Sequence, residues 1–151
     1  MIDFIFLDES HCDKMGIYRI WFGGKYYIGA TTNTTDRVIH HFKHLHNSLT
    51  HGSGIGNNST TKIINHLLCN QHIRTAFVEL IEECKREFDL VQAEHKWLIP
   101  CKDDNNCLNY QFNVHRTIGN TIFRPDGSFT IKSFCTKNKV RTQSQSLPRV
   151  R

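Results

Sequence analysis

Residues 16–30 read Gly-Ile-Tyr-Arg-Ile-Trp-Phe-Gly-Gly-Lys-Tyr-Tyr-Ile-Gly-Ala, two runs of strand-forming residues around a Gly23-Gly24 pair. Such a pair between alternating apolar residues signals a two-residue β-hairpin turn. With that pair at the tip, Phe22 faces Lys25, Ile20 faces Tyr27 and Tyr18 faces Gly29. Directly opposed residues share a face, and faces alternate with period two. Tyr18 and Tyr27 are therefore diagonal neighbours on one face, and Gly29 leaves open space opposite Tyr18. Taken alone, this pattern also fits two ordinary strand tyrosines.

The segments that follow extend the hairpin into a larger unit. Asn33, Thr34 or Thr35 can cap a helix over 36–49, with Val38, Phe42, Leu45 and Leu49 along one stripe. A glycine-rich loop over 51–58 has no Gly-Lys-Ser/Thr and so is not a phosphate loop. A second helix is expected over 59–69, a central strand over 73–82, and a third helix over 87–99 that stops before Pro100. Residues 101–110 read as an irregular polar connection. Arg124-Pro125-Asp126-Gly127 reads as a turn between short strands within 121–131. The order predicts an α+β fold with a small, three-stranded, mainly antiparallel sheet flanked by helices and followed by a C-terminal hairpin. The expected divisions are an N-terminal extension (1–15), a main domain (16–115), a hairpin extension (116–135) and a basic tail (136–151) expected to be disordered.

The chain has 151 residues, 38% hydrophobic and 22% charged, which suits one soluble domain with a real core. No apolar run approaches membrane-spanning length. The first fourteen residues are apolar but acidic, the wrong charge for a secretory leader, so an intracellular protein is expected. The six cysteines form no Cys-x-x-Cys pair, and a disulfide framework is not expected. His95, Cys101, Cys107 and His115 are conceivable zinc ligands, but their spacing fits no common pattern. The formal net charge is +5, and residues 136–151 hold all of it in Lys137, Lys139, Arg141, Arg149 and Arg151. A basic tail suits a polyanion, and is also a common solubilising end.

Three residue sets have chemistry to offer. Glu94 falls in the apolar stripe of the third helix, four residues from both Leu90 and Leu98, where a lone carboxylate is costly unless paired or metal-bound. A carboxylate suits Mg²⁺, and an ion pair with Arg37 or a lysine is the plainer alternative. Arg37 and His41 stand i, i+4 on the first helix and project from one face. An arginine fork can hold phosphate, and a histidine can exchange protons near neutral pH. Seven of the ten histidines lie in residues 40–72, so composition alone does not choose among His40, His41, His44 and His46.

With Arg37 ten residues after Tyr27, His41 four further on, Glu94 opening Glu94-x-x-Trp97-Leu98, and Asn109 fifteen residues after Glu94, the chain resembles the catalytic domain of the GIY-YIG nucleases. The resemblance covers about residues 16–113. It implies a divalent-metal-dependent endodeoxyribonuclease, with DNA as partner and Mg²⁺ or Mn²⁺ on Glu94 as the single metal ligand. It further implies Tyr18 activating water, Tyr27 positioning water or phosphate, Arg37 stabilising the transition state and His41 assisting proton transfer. Asn109 would brace the site, with Asn113 as the alternative. Lys25, Lys43, Lys137, Lys139 and Arg141 are the cations expected on DNA. Some family members place another histidine where this chain has Asn58 or Ser59. The alternative is a catalytically silent nucleic-acid-binding module of the same fold.

Overall fold

The computed structural model describes residues 1–135 and 139–146, with side chains through Lys132. The elements are β1 (Asp3–Phe6), β2 (Gly16–Phe22), β3 (Lys25–Thr31), α1 (Thr34–His51), α2 (Ser59–Cys69), β4 (Thr75–Glu83), α3 (Asp89–Leu98), β5 (Arg116–Ile118), β6 (Thr121–Phe123), β7 (Ser128–Cys135) and β8 (Lys139–Ser146). The β2–β3 hairpin has the expected register, Phe22↔Lys25, Ile20↔Tyr27 and Tyr18↔Gly29. Gly23 takes a left-handed φ of 67° at its tip, a conformation that costs glycine little. This is a mixed α+β fold with helices flanking a sheet and a C-terminal hairpin beyond it.

The first sheet has four strands rather than the expected three, in the order β1-β4-β2-β3. The residues read as an N-terminal extension supply β1, which runs parallel to β4 with Asp3 opposite Thr75 and Phe6 opposite Val78. Ile2, Phe4 and Phe6 alternate with Asp3 and Ile5 and turn toward the core, so Asp3 and Ile5 sit on the outer side of a half-buried strand. At β2–β4 the register slips between Ile17 and Tyr18, leaving Ile81 as an extra residue opposite that step. A bulge of this kind bends the strand that carries it, here β4 opposite Tyr18.

A second sheet, β5-β6-β7-β8, is a simple meander. The expected hairpin is its β6–β7 pair, with Gly127 at φ 85° in the turn. Strands flank it on both sides. Residues 139–146, read as part of a disordered tail, form β8 along the whole of β7.

Two hydrophobic layers sandwich the first sheet. On one face Val38 and Leu45 of α1 and Ile63, Ile64 and Leu67 of α2 pack on Tyr18, Ile20, Phe22 and Val78. On the other, Leu90, Ala93 and Leu98 of α3 pack on Ile17, Tyr26 and Ile28. Full burial of each such leucine contributes about 1.5–3 kcal/mol. Asn33 caps α1 by accepting the Asp36 N–H at 3.0 Å, and Asn58 caps α2 by accepting the Thr61 N–H at 2.9 Å. Each satisfies an N–H that the first helical turn leaves without a partner. No helix among the described residues is long and apolar enough to cross a membrane.

The free edge of β3 is closed by the irregular segment after α3. The Tyr26 N–H donates to the Asn106 carbonyl at 2.9 Å, and the Leu108 N–H donates to the Tyr26 carbonyl at 2.7 Å. Two residues along, the Asn109 side chain takes over. It accepts the Ile28 N–H at 2.9 Å and donates to the Ile28 carbonyl at 2.7 Å. An edge strand otherwise exposes these groups unpaired.

Candidate active site

The hairpin register places Tyr18 and Tyr27 on the α1 side of the sheet, their ring centroids 6.2 Å apart. The Asn33 cap starts α1 directly after β3, so Arg37 and His41 arrive one turn apart above the two phenols. His41 closes a three-ring cluster, 5.7 Å from Tyr18 and 5.4 Å from Tyr27 between centroids. The Tyr18 hydroxyl and His41 Nε2 are hydrogen-bonded at 2.7 Å. The space expected opposite Tyr18 is not open: the phenol itself lies over Gly29, so closely that a methyl group there would overlap its oxygen.

Glu94 approaches from the other side of the sheet. The residues around it on α3, Leu90 and Leu98, are buried against the opposite face, yet its carboxylate lies near enough to the β3 edge for the Ala30 N–H to bear on it. Along that edge, backbone serves Tyr26 and the Asn109 side chain serves Ile28. Among the described residues no cation stands within ion-pair distance of Glu94. The ion pair with Arg37 or a lysine, the plainer alternative from sequence, is therefore not formed.

The electrostatics tie the groups together. Burial holds the Glu94 carboxyl above its ordinary range, opposed by the fields of Arg116 and Arg37 and by the Ala30 N–H. Burial pushes the Tyr18 phenol well above the usual tyrosine range. Tyr27 and Glu94 add to this, and Arg37 opposes it. Tyr27 is raised by burial and by Glu94, again against Arg37. Burial, then the charges of Arg37, His40 and His44, drive His41 down to about 3. His41 is therefore a neutral imidazole at neutral pH, not the group poised to titrate there that its unperturbed pKa suggests.

Tyr18, Tyr27, Arg37, His41 and Glu94 thus share one electrostatic neighbourhood. Asn109, 4% exposed, stands behind it as a brace on β3. Asn113 is exposed and borders a separate cavity. Lys25 lines a different groove with Lys62 and Lys102. Lys43 is exposed on α1, two positions past His41 and so roughly 200° around the helix from it. Lys137 lies outside the described residues, and Lys139 and Arg141 are described only as strand positions in β8.

Arg116 is the residue that sequence reasoning did not single out. It opens β5, pairs with Glu87 through Nη2 at 3.2 Å and Nε at 3.3 Å, and is the strongest cationic influence on Glu94. No motif or periodicity marks it, since only tertiary structure brings it to Glu87, just before α3, and into range of Glu94. Among the described residues no cluster of three or more histidine, cysteine or acidic side chains could hold a metal ion. Cys101 instead donates to the Trp97 carbonyl and Cys107 to Asn109. Compared with known proteins, the chain matches no family model, no curated protein and no solved structure.

Proposed function

We propose that this protein is a divalent-metal-dependent DNA endonuclease of the GIY-YIG kind, acting at the Tyr18–His41–Glu94 cluster. One convergence supports the reading. Residues named by their order and spacing come from β2, β3, α1 and α3, yet meet at the end of β3. Glu94 must cross from the opposite layer to join them.

The fit to Mg²⁺ or Mn²⁺ rests on Glu94, a part-buried carboxylate with no ion-pair partner among the described residues. Mg²⁺ keeps several waters and takes one or two carboxylates together with substrate phosphate, so a larger ligand cluster is not needed. Bound to Glu94, the ion would supply Lewis-acid stabilisation of the phosphate and of the leaving oxygen.

The remaining roles belong to the chain. Arg37 offers a planar cationic fork to the phosphoryl oxygens, where charge grows in the transition state. Tyr18 cannot be a free phenolate at neutral pH, because its pKa is raised further by burial. It acts as a relay, taking a proton from the attacking water as it gives its own to His41 Nε2, 2.7 Å away. The neutral imidazole in its Nδ1–H tautomer presents that lone pair. A bound phosphate opposes the Arg37 field and raises the proton affinity of His41. Tyr27, the second phenol of the cluster, orients the water.

The test is relaxation of supercoiled plasmid by the purified chain with Mg²⁺ and with chelator, beside Glu94→Gln. Metal-dependent nicking by wild type alone is expected. Equal nicking by Glu94→Gln, or nicking that survives chelation, overturns the reading.

A further inference from the structure

We infer that the cavity between α3 and the start of the second sheet is a nucleobase pocket that receives one unstacked, amino-bearing base of the strand being cut. The inference rests on the nuclease reading above. The cavity encloses 640 Å³, within the range of about 300–1,000 Å³ usual for small-ligand sites. Its polar walls are His95 of α3, Asn113 and His115 of the following connection, and Arg124 and Asp126 of the β6–β7 turn. His95 directly follows Glu94, and Arg116, whose charge bears on Glu94, directly follows His115. The lining is thus contiguous in sequence with Glu94 and Arg116.

The lining chemistry selects a heterocycle rather than an anion. Its two formally charged side chains, Arg124 and Asp126, are of opposite sign, and Arg124 already donates to Thr130 Oγ1 at 2.6 Å. Val114, Ile122 and Pro125 supply apolar surface for the faces of a ring. The His95 imidazole adds a flat polar ring to the wall. Asp126 Oδ1 accepts the Ser128 N–H at 2.8 Å. An ionised carboxylate has acceptor capacity beyond one such bond, and a donor on the ligand, such as the exocyclic amine of cytosine, adenine or guanine, fits it. A base can enter only when it is out of the duplex stack, so the pocket favours unpaired or flipped nucleotides.

The test is an amide-resolved NMR titration of the full chain, free of metal, with dCMP, dAMP, TMP and inorganic phosphate. His95→Ala and Val114→Trp are titrated alongside. We expect dCMP and dAMP to shift the His95, Asn113 and His115 signals with Kd below about 1 mM. TMP should bind about fivefold more weakly, the worth of one hydrogen bond, and both variants should lose the response. No shift at about ten times that concentration, shifts unchanged in both variants, or binding of inorganic phosphate alone overturns the pocket. Plasmid nicking by the same samples keeps the two readings apart. Nicking without a nucleotide response breaks the pocket only, whereas a nucleotide response without metal-dependent nicking supports the pocket and breaks the nuclease reading.

Discussion

Tyr18 and Tyr26 sit on opposite faces of the same hairpin, both buried, at 2% and 7% exposure. Each hydroxyl has a short hydrogen bond, to His41 at 2.7 Å for Tyr18 and to Asp104 at 2.6 Å for Tyr26. Burial raises both phenols. Their partners separate them. Asp104 is an exposed carboxylate that the Tyr26 bond holds below its ordinary range, so it accepts the hydrogen bond and keeps its charge. That bond staples the segment after α3 to β3. His41 is a neutral imidazole enclosed with a second phenol and within the field of Arg37. The same residue type in one hairpin is thus a fastener on one face and, in the proposed reading, a proton relay on the other. The difference lies in surroundings, a charged and exposed carboxylate beside Tyr26 and a buried neutral imidazole with a second phenol beside Tyr18.

The largest expected effect comes from the carboxylate that crosses between the faces. Glu94→Gln should reduce metal-dependent cleavage to background, a loss of about 10³-fold or more in a plasmid assay. The fold should not suffer. Because burial raises the Glu94 pKa, its favourable contribution to stability is full below the unfolded value of about 4.3 and is lost as pH rises through the folded value. Without metal at neutral pH, Glu94→Gln should therefore melt at or above the wild-type temperature, and the gain should shrink on acidification. A clear fall in melting temperature at neutral pH would mean the carboxylate is a structural partner instead.

Next comes the tyrosine pair itself. Tyr18→Phe should lower the cleavage rate about 10²- to 10³-fold with the melting temperature little changed. Tyr26→Phe should do the reverse, lowering the melting temperature while the rate per folded molecule stays near wild type. Comparable rates in the two variants would erase the distinction between the faces.

Smaller changes sharpen it. Gly29→Ala puts a methyl group against the Tyr18 phenol and should turn the ring away from His41. The expected cost is about 10²-fold in rate, with the Tyr18 oxygen displaced in a crystal structure. Asn109→Ala removes both side-chain bonds to Ile28. It should destabilise the fold by about 2–3 kcal/mol in a denaturant titration, with about a tenfold loss of rate as the Ala30–Glu94 edge relaxes. The smallest effect is on pH dependence. His41, held at about 3, should contribute no limb to kcat/KM between about pH 5 and 8. Its depressed pKa makes the fold lose stability as pH falls from about 6.5 toward 3. His41→Gln should remove part of that acid sensitivity in melts across the range.

Much of the hairpin layer was legible in the chain because its causes are local. The turn glycines and period-two alternation specify that Tyr18 meets Gly29, and Asn33 marks where α1 begins. The i, i+4 spacing of Arg37 and His41 puts both on one helical face before any packing is known. The α3 stripe likewise identifies Glu94 as a carboxylate among apolar neighbours. Choosing His41 among its neighbours was different. Only the family resemblance separated it from His40 and His44, and only the structure sets its ring against Tyr18.

What the residues alone determined, then, are the elements whose partners lie within a few positions. Tertiary structure decided every pairing whose partner lies far along the chain. β1 joins β4 across some seventy residues, and nothing within a four-residue strand states which edge it will choose. β8 has few apolar residues and many polar ones, so its sequence reads as tail, although pairing with β7 satisfies its backbone. Arg116 bears on Glu94 only because the fold brings the start of β5 to Glu87, just before α3. The pKa of His41 follows from burial and from charges gathered around it by packing. Local propensity acts over a helical turn or a hairpin, whereas desolvation and charge proximity depend on distances that exist only once the layers have closed.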